Sequence, residues 1–241
     1  MQIEEAILNK KIVKTGKEAG LLSLEMATVT ILFWSSFVVF GLISRKIFWK
    51  KKEAFDKKVF LHFHRFVSPG TTKWMEAFSY LGSRDFLVKA NLTLIGYFLF
   101  IQPHQWYRVK VPAVAISNTV MMLLLKKVFQ RPRPLEPLLG PAKGLSYPSG
   151  HSMMSFSFYG LMIFLVWKYV EDPVVKRMLI SILFMLILSI GFSRIYLRVH
   201  YASDVVAGFA MGVMCLVLSL WILRKIEKAV ERRRLLAFAE S

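Results

Sequence analysis

The sequence predicts an all-α, polytopic membrane protein: a bundle of six transmembrane helices with an interfacial helical segment between spans one and two. Hydrophobic residues make up 55% of the 241-residue chain, and its mean hydropathy is +0.47. The apolar residues form about six stretches of roughly 17–25 residues, the length that crosses a bilayer's hydrocarbon core. A soluble domain of this size would need far more polar surface to cover its core. We therefore expect a single membrane-embedded domain over residues 1–241.

The chain begins with segments that differ in polarity. Residues 1–20 have the pattern of an amphipathic helix on one membrane face, without the apolar core and cleavage site of a signal peptide. The first span is expected at about 21–43. Residues 53–83 mix aromatic and charged side chains, which is typical of helices at headgroup depth. The Ser-Pro-Gly sequence at 68–70 is expected to divide this segment into two helices.

Five further spans follow, with a long polar connection among them. Residues 130–150 are rich in proline and long for a loop in a helical bundle, which itself points to function. The six-span core is expected over residues 21–224, and a basic tail, 225–241, follows it. The five spans are expected at 85–101, 109–129, 151–169, 175–193 and 203–223.

The chain is strongly basic, with 33 Lys and Arg against 15 Asp and Glu and a formal charge of +18. Such basicity fits nucleic acid, anionic headgroups or a phosphorylated substrate. Nucleic acid fits worst, because so much of the chain is committed to the lipid bilayer. Six spans put both termini on one side, and the basic ends favour the cytoplasm. The opposite side still collects 18 of the 33 basic residues, so the charge count does not follow the rule cleanly.

A histidine and an aspartate at the start of the last span are the first candidates for chemistry. His200 and Asp204 are four residues apart, which on a helix places both on one face. Asp204 can then accept a hydrogen bond from one imidazole nitrogen and leave the other free as a nucleophile. The alternative is a structural His–Asp pair at a helix end. A carboxylate at the membrane end of an apolar helix is costly unless it is used or paired, which favours function.

The sequence Pro-Ser-Gly-His at 148–151 precedes an apolar run and predicts a helix N-terminus. Free backbone N–H groups and the helix dipole form an anion site there. Gly150 would let a phosphoryl group approach the backbone closely, and His151 would project into the same space. Taken alone, the motif also fits an ordinary N-cap followed by an incidental histidine.

Three cations are expected at the same membrane face as the histidines: Lys126, Arg133 and Arg194. Phosphoryl transfer spreads negative charge over three oxygens, which fixed cations stabilise, and arginine adds a bidentate fork. Singly, Lys126 also fits snorkelling to the interface and Arg133 fits headgroup binding. Together with two histidines and one aspartate at one face, they indicate a phosphoryl-transfer site.

These residues together resemble the signature of the type 2 phosphatidic acid phosphatase (PAP2) superfamily, in its bacterial integral-membrane lipid phosphatase branch. The signature reads K-x6-R-P, P-S-G-H and S-R-x5-H-x3-D, and the sequence matches it without substitution between Lys126 and Asp204. Arg131 and Pro132 form a second Arg-Pro step, but only Arg133 has the required spacing from Lys126, so we interpret Arg131 as a false register of the motif.

The resemblance implies a role for each motif residue. His200 would attack phosphorus and form a phosphohistidine, Asp204 would orient it, and His151 would act as general acid and then as base. No metal and no cofactor are implied, and Asp204 is the only carboxylate within the motifs. The phosphoryl oxygens would be held by Lys126, Arg133, Ser149, Gly150 and Arg194.

The implied function is hydrolysis of a lipid phosphomonoester or pyrophosphate. The substrate would be of the undecaprenyl pyrophosphate, phosphatidylglycerol phosphate, phosphatidic acid or lipid A class. The enzyme is expected in the bacterial inner membrane, with its active site on the outer face and both termini in the cytoplasm. The sequence favours no particular oligomeric state.

Two alternatives remain open. A lipid phosphotransferase would pass the same phosphohistidine to a lipid acceptor, and a non-catalytic lipid binder or transporter would use only the scaffold. The presence of both histidines opposes the second alternative. Soluble acid phosphatases and vanadate-dependent haloperoxidases share the site chemistry but would not need six apolar spans.

Overall fold

The computed structural model describes residues 26–49, 54–101, 105–134, 137–138, 140, 142 and 144–239. These residues form helices and no strand, so the all-α prediction is confirmed for this part of the chain. The last turn of α1 is π-helical, and a π-helical segment, Tyr97–Ile101, continues α4. The helices are α1 Met26–Trp49, α2 Ala54–His64, α3 Pro69–Leu81, α4 Arg84–Gly96, α5 Tyr107–Phe129, α6 Gly150–Tyr169, α7 Pro173–Tyr196 and α8 Ala202–Ala239.

Among the described residues, five helices are long and apolar enough to cross a bilayer: α1, α5, α6, α7 and α8 as far as Arg234. They coincide in position with five of the six expected spans. The remaining expected span, 85–101, folds as α4 and its π-helical continuation, so the count of six is not confirmed. The basic tail continues α8 as helix to Ala239, and the segment expected at 1–20 lies outside the described residues.

The predicted break between two helices at 68–70 is confirmed. Ser68 is the N-cap of α3: its side chain accepts from the Thr71 backbone N–H, and the Thr71 hydroxyl accepts from the Ser68 N–H. Pro69 starts the helix at a position where no backbone N–H is required. Tyr196, at the end of α7, shares a 2.6 Å hydrogen bond with Thr71, which ties the α2–α3 connection to the bundle.

Helix α6 lies at the centre of the bundle, against α7 and α8. Two glycines of α8 make its contact with α6 close. A Cβ at Gly208 would lie 2.6 Å from the Ser149 carbonyl oxygen, and one at Gly212 would lie 2.8 Å from the Met153 carbonyl oxygen. The N-termini of α6 and α8 are therefore neighbours, and the Ser149 N–H donates to the Asp204 carbonyl at 2.9 Å.

Aromatic residues anchor the long connection between α5 and α6 over one end of the bundle. Tyr147 is fully buried and shares a 2.7 Å hydrogen bond with Ser44 of α1. Its ring packs against Phe40, Phe48 and Phe129, with ring centroids 5.0–5.9 Å apart. The connection is thus held against α1 and α5 directly before the Pro-Ser-Gly-His motif.

Candidate active site

One end of the bundle collects the motif residues. Helices α5 and α7 end there, and α6 and α8 begin there. Lys126 and Arg194 lie in the last turns of α5 and α7, and His151 and Asp204 lie in the first turns of α6 and α8. The backbone therefore delivers four chemically active side chains, from four helices, to one depth of the bundle.

His200 lies in the turn between α7 and α8, which corrects the prediction that it shares a helical face with Asp204. Helix α8 begins only at Ala202, and the His200 N–H donates to the Arg194 carbonyl at 3.2 Å. The pairing arises by another route. Asp204 Oδ2 reaches back to accept from the Tyr201 N–H at 2.9 Å, as in a capping box, and lies 3.5 Å from His200 Nδ1.

The second imidazole nitrogen of His200 faces a cation. Arg133 Nη1 lies 3.1 Å from His200 Nε2. A guanidinium can only donate, so this Nε2 carries a lone pair and the ring proton sits on Nδ1, towards Asp204. Burial lowers the pKa of His200 to about 4, so the ring is neutral at neutral pH. Such an imidazole has its lone pair directed away from the carboxylate and towards positive charge.

Lys126 and Arg133 are held at the site by backbone carbonyls. Lys126 Nζ donates to the Leu145 carbonyl at 2.5 Å. Arg133 donates from Nε to the Gly144 carbonyl at 3.1 Å and from Nη1 to the Val199 carbonyl at 2.8 Å. Burial lowers the pKa of Arg133, yet a guanidinium remains charged at any physiological pH. Both side chains are fixed in place while their charges remain available to an anion.

Arg194 is held by a neutral partner as well. Its Nη1 donates to the hydroxyl of Ser79 on α3. Its Nε is buried and has no acceptor among the described residues, so one donor remains for another group. The sequence did not single out Ser79, which brings the α3 segment into the site.

The predicted helix N-terminus is confirmed, with Ser149 as the N-cap of α6. The Ser149 hydroxyl accepts from the Ser152 N–H at 3.4 Å and from the Ser152 hydroxyl at 2.9 Å, which leaves its own proton to donate. For Gly150 the structure gives a further reason. A Cβ there would lie 2.7 Å from Met122 Sδ, so this glycine permits α5 to pack against the start of α6.

His151 lies half-buried in the first turn of α6, within electrostatic range of His200 and Arg194. The turn between α3 and α4 packs against it, since a Cβ at Gly82 would lie 3.5 Å from His151 Cδ2. The two histidines thus approach the same region from different elements.

Two buried contacts of Asp204 involve residues that the sequence did not assign to the site. Arg131, interpreted above as a false register, is buried and donates from Nη1 to Asp204 Oδ1 at 2.6 Å. Ser146 donates to Asp204 Oδ2, and its Oγ lies 3.4 Å from His200 Nδ1. Although burial opposes it, the negative charges of Asp204 and of Asp56, on α2, raise the pKa of Arg131.

Residues 109–228, which contain all three motifs, match the family model described as the PAP2 superfamily. The protein belongs to the PAP2 superfamily. A curated relative, phosphatidylglycerophosphatase B of Bacillus subtilis (strain 168), is 28% identical over 149 residues, which are 61% of this chain and 72% of the relative.

Two solved structures resemble this PAP2 protein. One is the first transmembrane PAP2 type phosphatidylglycerolphosphate phosphatase from Bacillus subtilis, with a TM-score of 0.73 and 23% identity over 81% of this chain and 98% of that chain. The other is Aquifex aeolicus LpxE, with a TM-score of 0.53 and 29% identity over 68% and 93% of the two chains. The family resemblance is confirmed: the chain is a PAP2-type phosphatase of the membrane, acting on phosphoric esters of lipids.

Proposed function

We propose that this PAP2 phosphatase hydrolyses a lipid phosphomonoester or pyrophosphate through a phosphohistidine formed on His200 Nε2. The observation that carries the proposal is the polarity of the His200 ring. Its Nδ1 proton faces Asp204, and its Nε2 lone pair faces Arg133, 3.1 Å away. A neutral, buried imidazole between a carboxylate and a cation is suited to attack a phosphorus atom whose oxygens the cation binds.

The reaction then has two steps. His200 Nε2 attacks phosphorus and the bond to the leaving oxygen breaks, which is the ester oxygen of a phosphomonoester or the bridging oxygen of a pyrophosphate. Protonated His151 gives its proton to that oxygen. Asp204 stabilises the charge that the imidazole gains. In the second step His151 removes a proton from water, the water oxygen bonds to phosphorus, and the N–P bond breaks. Phosphate leaves, and both histidines return to their starting states.

The negative charge on the transferring group would be stabilised by fixed donors at the site. Three of these donors, Lys126, Arg133 and Arg194, are cations. No carboxylate among the described residues contacts them directly, because their hydrogen bonds go to carbonyl, hydroxyl and imidazole groups. The positive end of α6 adds a backbone N–H and the helix dipole. The proposed phosphate-binding groups are Lys126, Arg133, Ser149, Gly150 and Arg194.

Phosphatidylglycerol phosphate is the substrate to test first, because the Bacillus relative is a phosphatidylglycerophosphatase. Undecaprenyl pyrophosphate, phosphatidic acid and lipid A also carry a terminal phosphoryl group, each on a different lipid. They are the other members of the panel.

We also propose six spans, with the site at the outer face of the inner membrane and both termini in the cytoplasm. Helix α4 has 13 residues, and its π-helical continuation adds 5, which approaches the length of a span. Leu92, Phe100 and Ile101 are exposed along it, as on a lipid-facing surface. Fusing a reporter that is active on only one side of the membrane to either terminus tests the orientation.

The test uses purified protein in one detergent and measures phosphate release from each lipid of the panel. We expect release without added metal, inhibition by vanadate, and loss of at least about 10⁴-fold in kcat for His200→Gln. His62→Gln, which changes an exposed histidine on α2, is the matched control and should keep full activity. Undiminished release by His200→Gln would falsify the nucleophile assignment. Thin-layer analysis with an acceptor lipid separates hydrolysis from phosphotransfer.

A further inference from the structure

A carboxylate of the short helix α2 is buried against the start of α8. Asp56 is only 3% exposed. Its Oδ1 accepts from the Ser203 N–H at 2.9 Å, and its Oδ2 accepts from the Ser203 hydroxyl at 2.6 Å and from Arg131 Nη2 at 2.9 Å. Three hydrogen bonds, one of them to a charged donor, are the pattern of a buried carboxylate with a defined orientation.

Arg131 connects this carboxylate to the motif aspartate. It is 6% exposed, and Nη1 donates to Asp204 Oδ1 at 2.6 Å and to the Ser203 hydroxyl at 2.8 Å. Its guanidinium carbon lies 3.9 Å from the centroid of the Tyr201 ring, which stacks on it. Arg131 therefore bridges two carboxylates with its two terminal nitrogens while a ring covers its face.

The two oxygens of Asp204 are divided between different partners. Oδ1 binds Arg131, whereas Oδ2 faces His200 Nδ1 and accepts from Ser146 and from the Tyr201 N–H. Because Arg131 occupies Oδ1, rotation of the carboxylate is blocked and Oδ2 stays directed at the imidazole.

We propose that Asp56 and Arg131 are positioning residues for the reaction, which fix the Asp204 carboxylate so that Oδ2 orients His200. The inference rests on the proposed role of His200. A long arginine side chain has several rotamers, and Asp56 together with Ser203 selects the one that reaches Asp204. The second carboxylate also shares the charge of Arg131, so that Asp204 keeps negative charge for the imidazole. Helix α2 is then part of the reaction machinery.

The experiment compares two ion pairs that α8 contacts, one buried and one partly buried. Asp56→Asn keeps the shape of the side chain and removes the charge that holds Arg131. Glu227→Gln makes the same chemical change in the salt bridge between Glu227 and Lys110, near the other end of the apolar part of α8. For each variant, kcat and KM for the best lipid phosphate are measured per folded enzyme, and the melting temperature is measured in the same detergent.

We expect Asp56→Asn to lower kcat about 10- to 100-fold, with KM changed less than about threefold, because orientation and not binding is lost. Glu227→Gln should lower the melting temperature and leave kcat unchanged. Arg131→Gln should lower kcat at least as much as Asp56→Asn, and Arg131→Lys should recover part of that loss. Adding Asp56→Asn to Arg131→Gln should cost no further activity, because Asp56 acts through Arg131.

The proposal is overturned if Asp56→Asn keeps the wild-type kcat per folded molecule. It is also overturned if the kcat of the Asp56→Asn, Arg131→Gln double variant falls by the product of the two single losses. If Asp56→Asn yields no folded protein, Ser203→Ala carries the test, since it removes the hydroxyl that bonds both Asp56 and Arg131 and keeps both charges. A severalfold lower kcat at an unchanged melting temperature then supports the proposal, and an unchanged kcat overturns it. Failure of the proposed function looks different: His200→Gln would remain active, or the wild-type enzyme would release no phosphate.

Discussion

Helix α8 contacts buried charges near both ends of its apolar part, and the two ends differ in how those charges are paired. At one end Glu227 binds Lys110 of α5 at 2.5 Å, one anion to one cation. At the other end Asp204 and Asp56 share Arg131, and three further motif cations stand nearby. Among the described residues, the first contact is a pair of one anion and one cation, whereas the second group brings four cations together with two carboxylates.

The difference distinguishes a structural contact from the proposed phosphate-binding site. A buried pair of opposite charges satisfies itself, so the Lys110–Glu227 contact needs no ligand and joins α5 to α8. An excess of positive charge that is at least partly buried is unfavourable until an anion binds. In the part of the chain that the structure describes, this excess lies at the end where α6 begins, and a helix N-terminus favours an anion such as a phosphoryl group.

The largest effect that sharpens this contrast comes from arginines at the two ends of α7. Arg194→Gln removes a charge and the free Nε donor from the site, so kcat should fall about 10²- to 10³-fold. Arg177→Gln changes an exposed arginine at the opposite end of the same helix, whose Nε bonds the Pro173 carbonyl. It should leave kcat unchanged. Equal losses in steady-state assays of the two variants would break the contrast.

A smaller effect concerns acid stability. Burial holds the pKa of His200 near 4, while an exposed imidazole in the unfolded chain has a pKa of about 6.5. Between these pH values the unfolded chain binds a proton on this imidazole and the folded protein does not. The free energy of unfolding therefore falls as pH drops from about 6.5 to about 4. Above about pH 6.5 the imidazole contributes no slope. Melting temperatures across this window should fall less steeply for His200→Gln, and parallel curves would contradict a neutral His200.

The smallest effect is expected where charge is balanced. Replacing both partners, as Lys110→Met with Glu227→Leu, removes a partly buried pair without leaving a lone charge. Such exchanges are often neutral or stabilising, so the free energy of unfolding should change by less than about 1 kcal/mol or increase. Phosphate release should match that of the wild-type protein. A strongly destabilised double variant, measured by thermal unfolding in detergent, would show that this end also depends on its charges.

The motif residues could be predicted because short stretches of backbone fix them. The Pro-Ser-Gly-His sequence is a helix start on local grounds, and the structure has α6 begin at Gly150. The spacing of His200 and Asp204 correctly predicted their proximity. It missed the geometry, because a turn that ends at Tyr201 precedes α8 and the aspartate reaches back from the helix.

Asp56 and Arg131 could not be paired from the sequence, since they are 75 residues apart and only tertiary packing joins them. One signal was present. Asp56 shares a face of α2 with Val59, Phe60 and Phe63, at helical spacings of three, four and seven residues. A carboxylate on the apolar face of an amphipathic helix needs a buried partner. The helical spacing alone therefore predicts a buried partner for Asp56, although it does not say which residue that is.

The number of spans was the least predictable part of the fold. Lys89, Asn91 and Thr93 interrupt the apolar stretch that was expected to cross the membrane, and the segment folds as an α-helix followed by a π-helical turn. When hydropathy is averaged over a stretch of sequence, these three polar residues lower the mean only slightly. The average does not record where along the helix they lie.

Gly208 sets a limit on how the substrate range of this protein can evolve. A Cβ there would meet the Ser149 carbonyl oxygen at 2.6 Å, and a backbone atom cannot turn aside as a side chain does. Any larger residue would separate α6 from α8 and carry His151 away from His200. Mutational paths to a new headgroup preference therefore have to avoid this crossing.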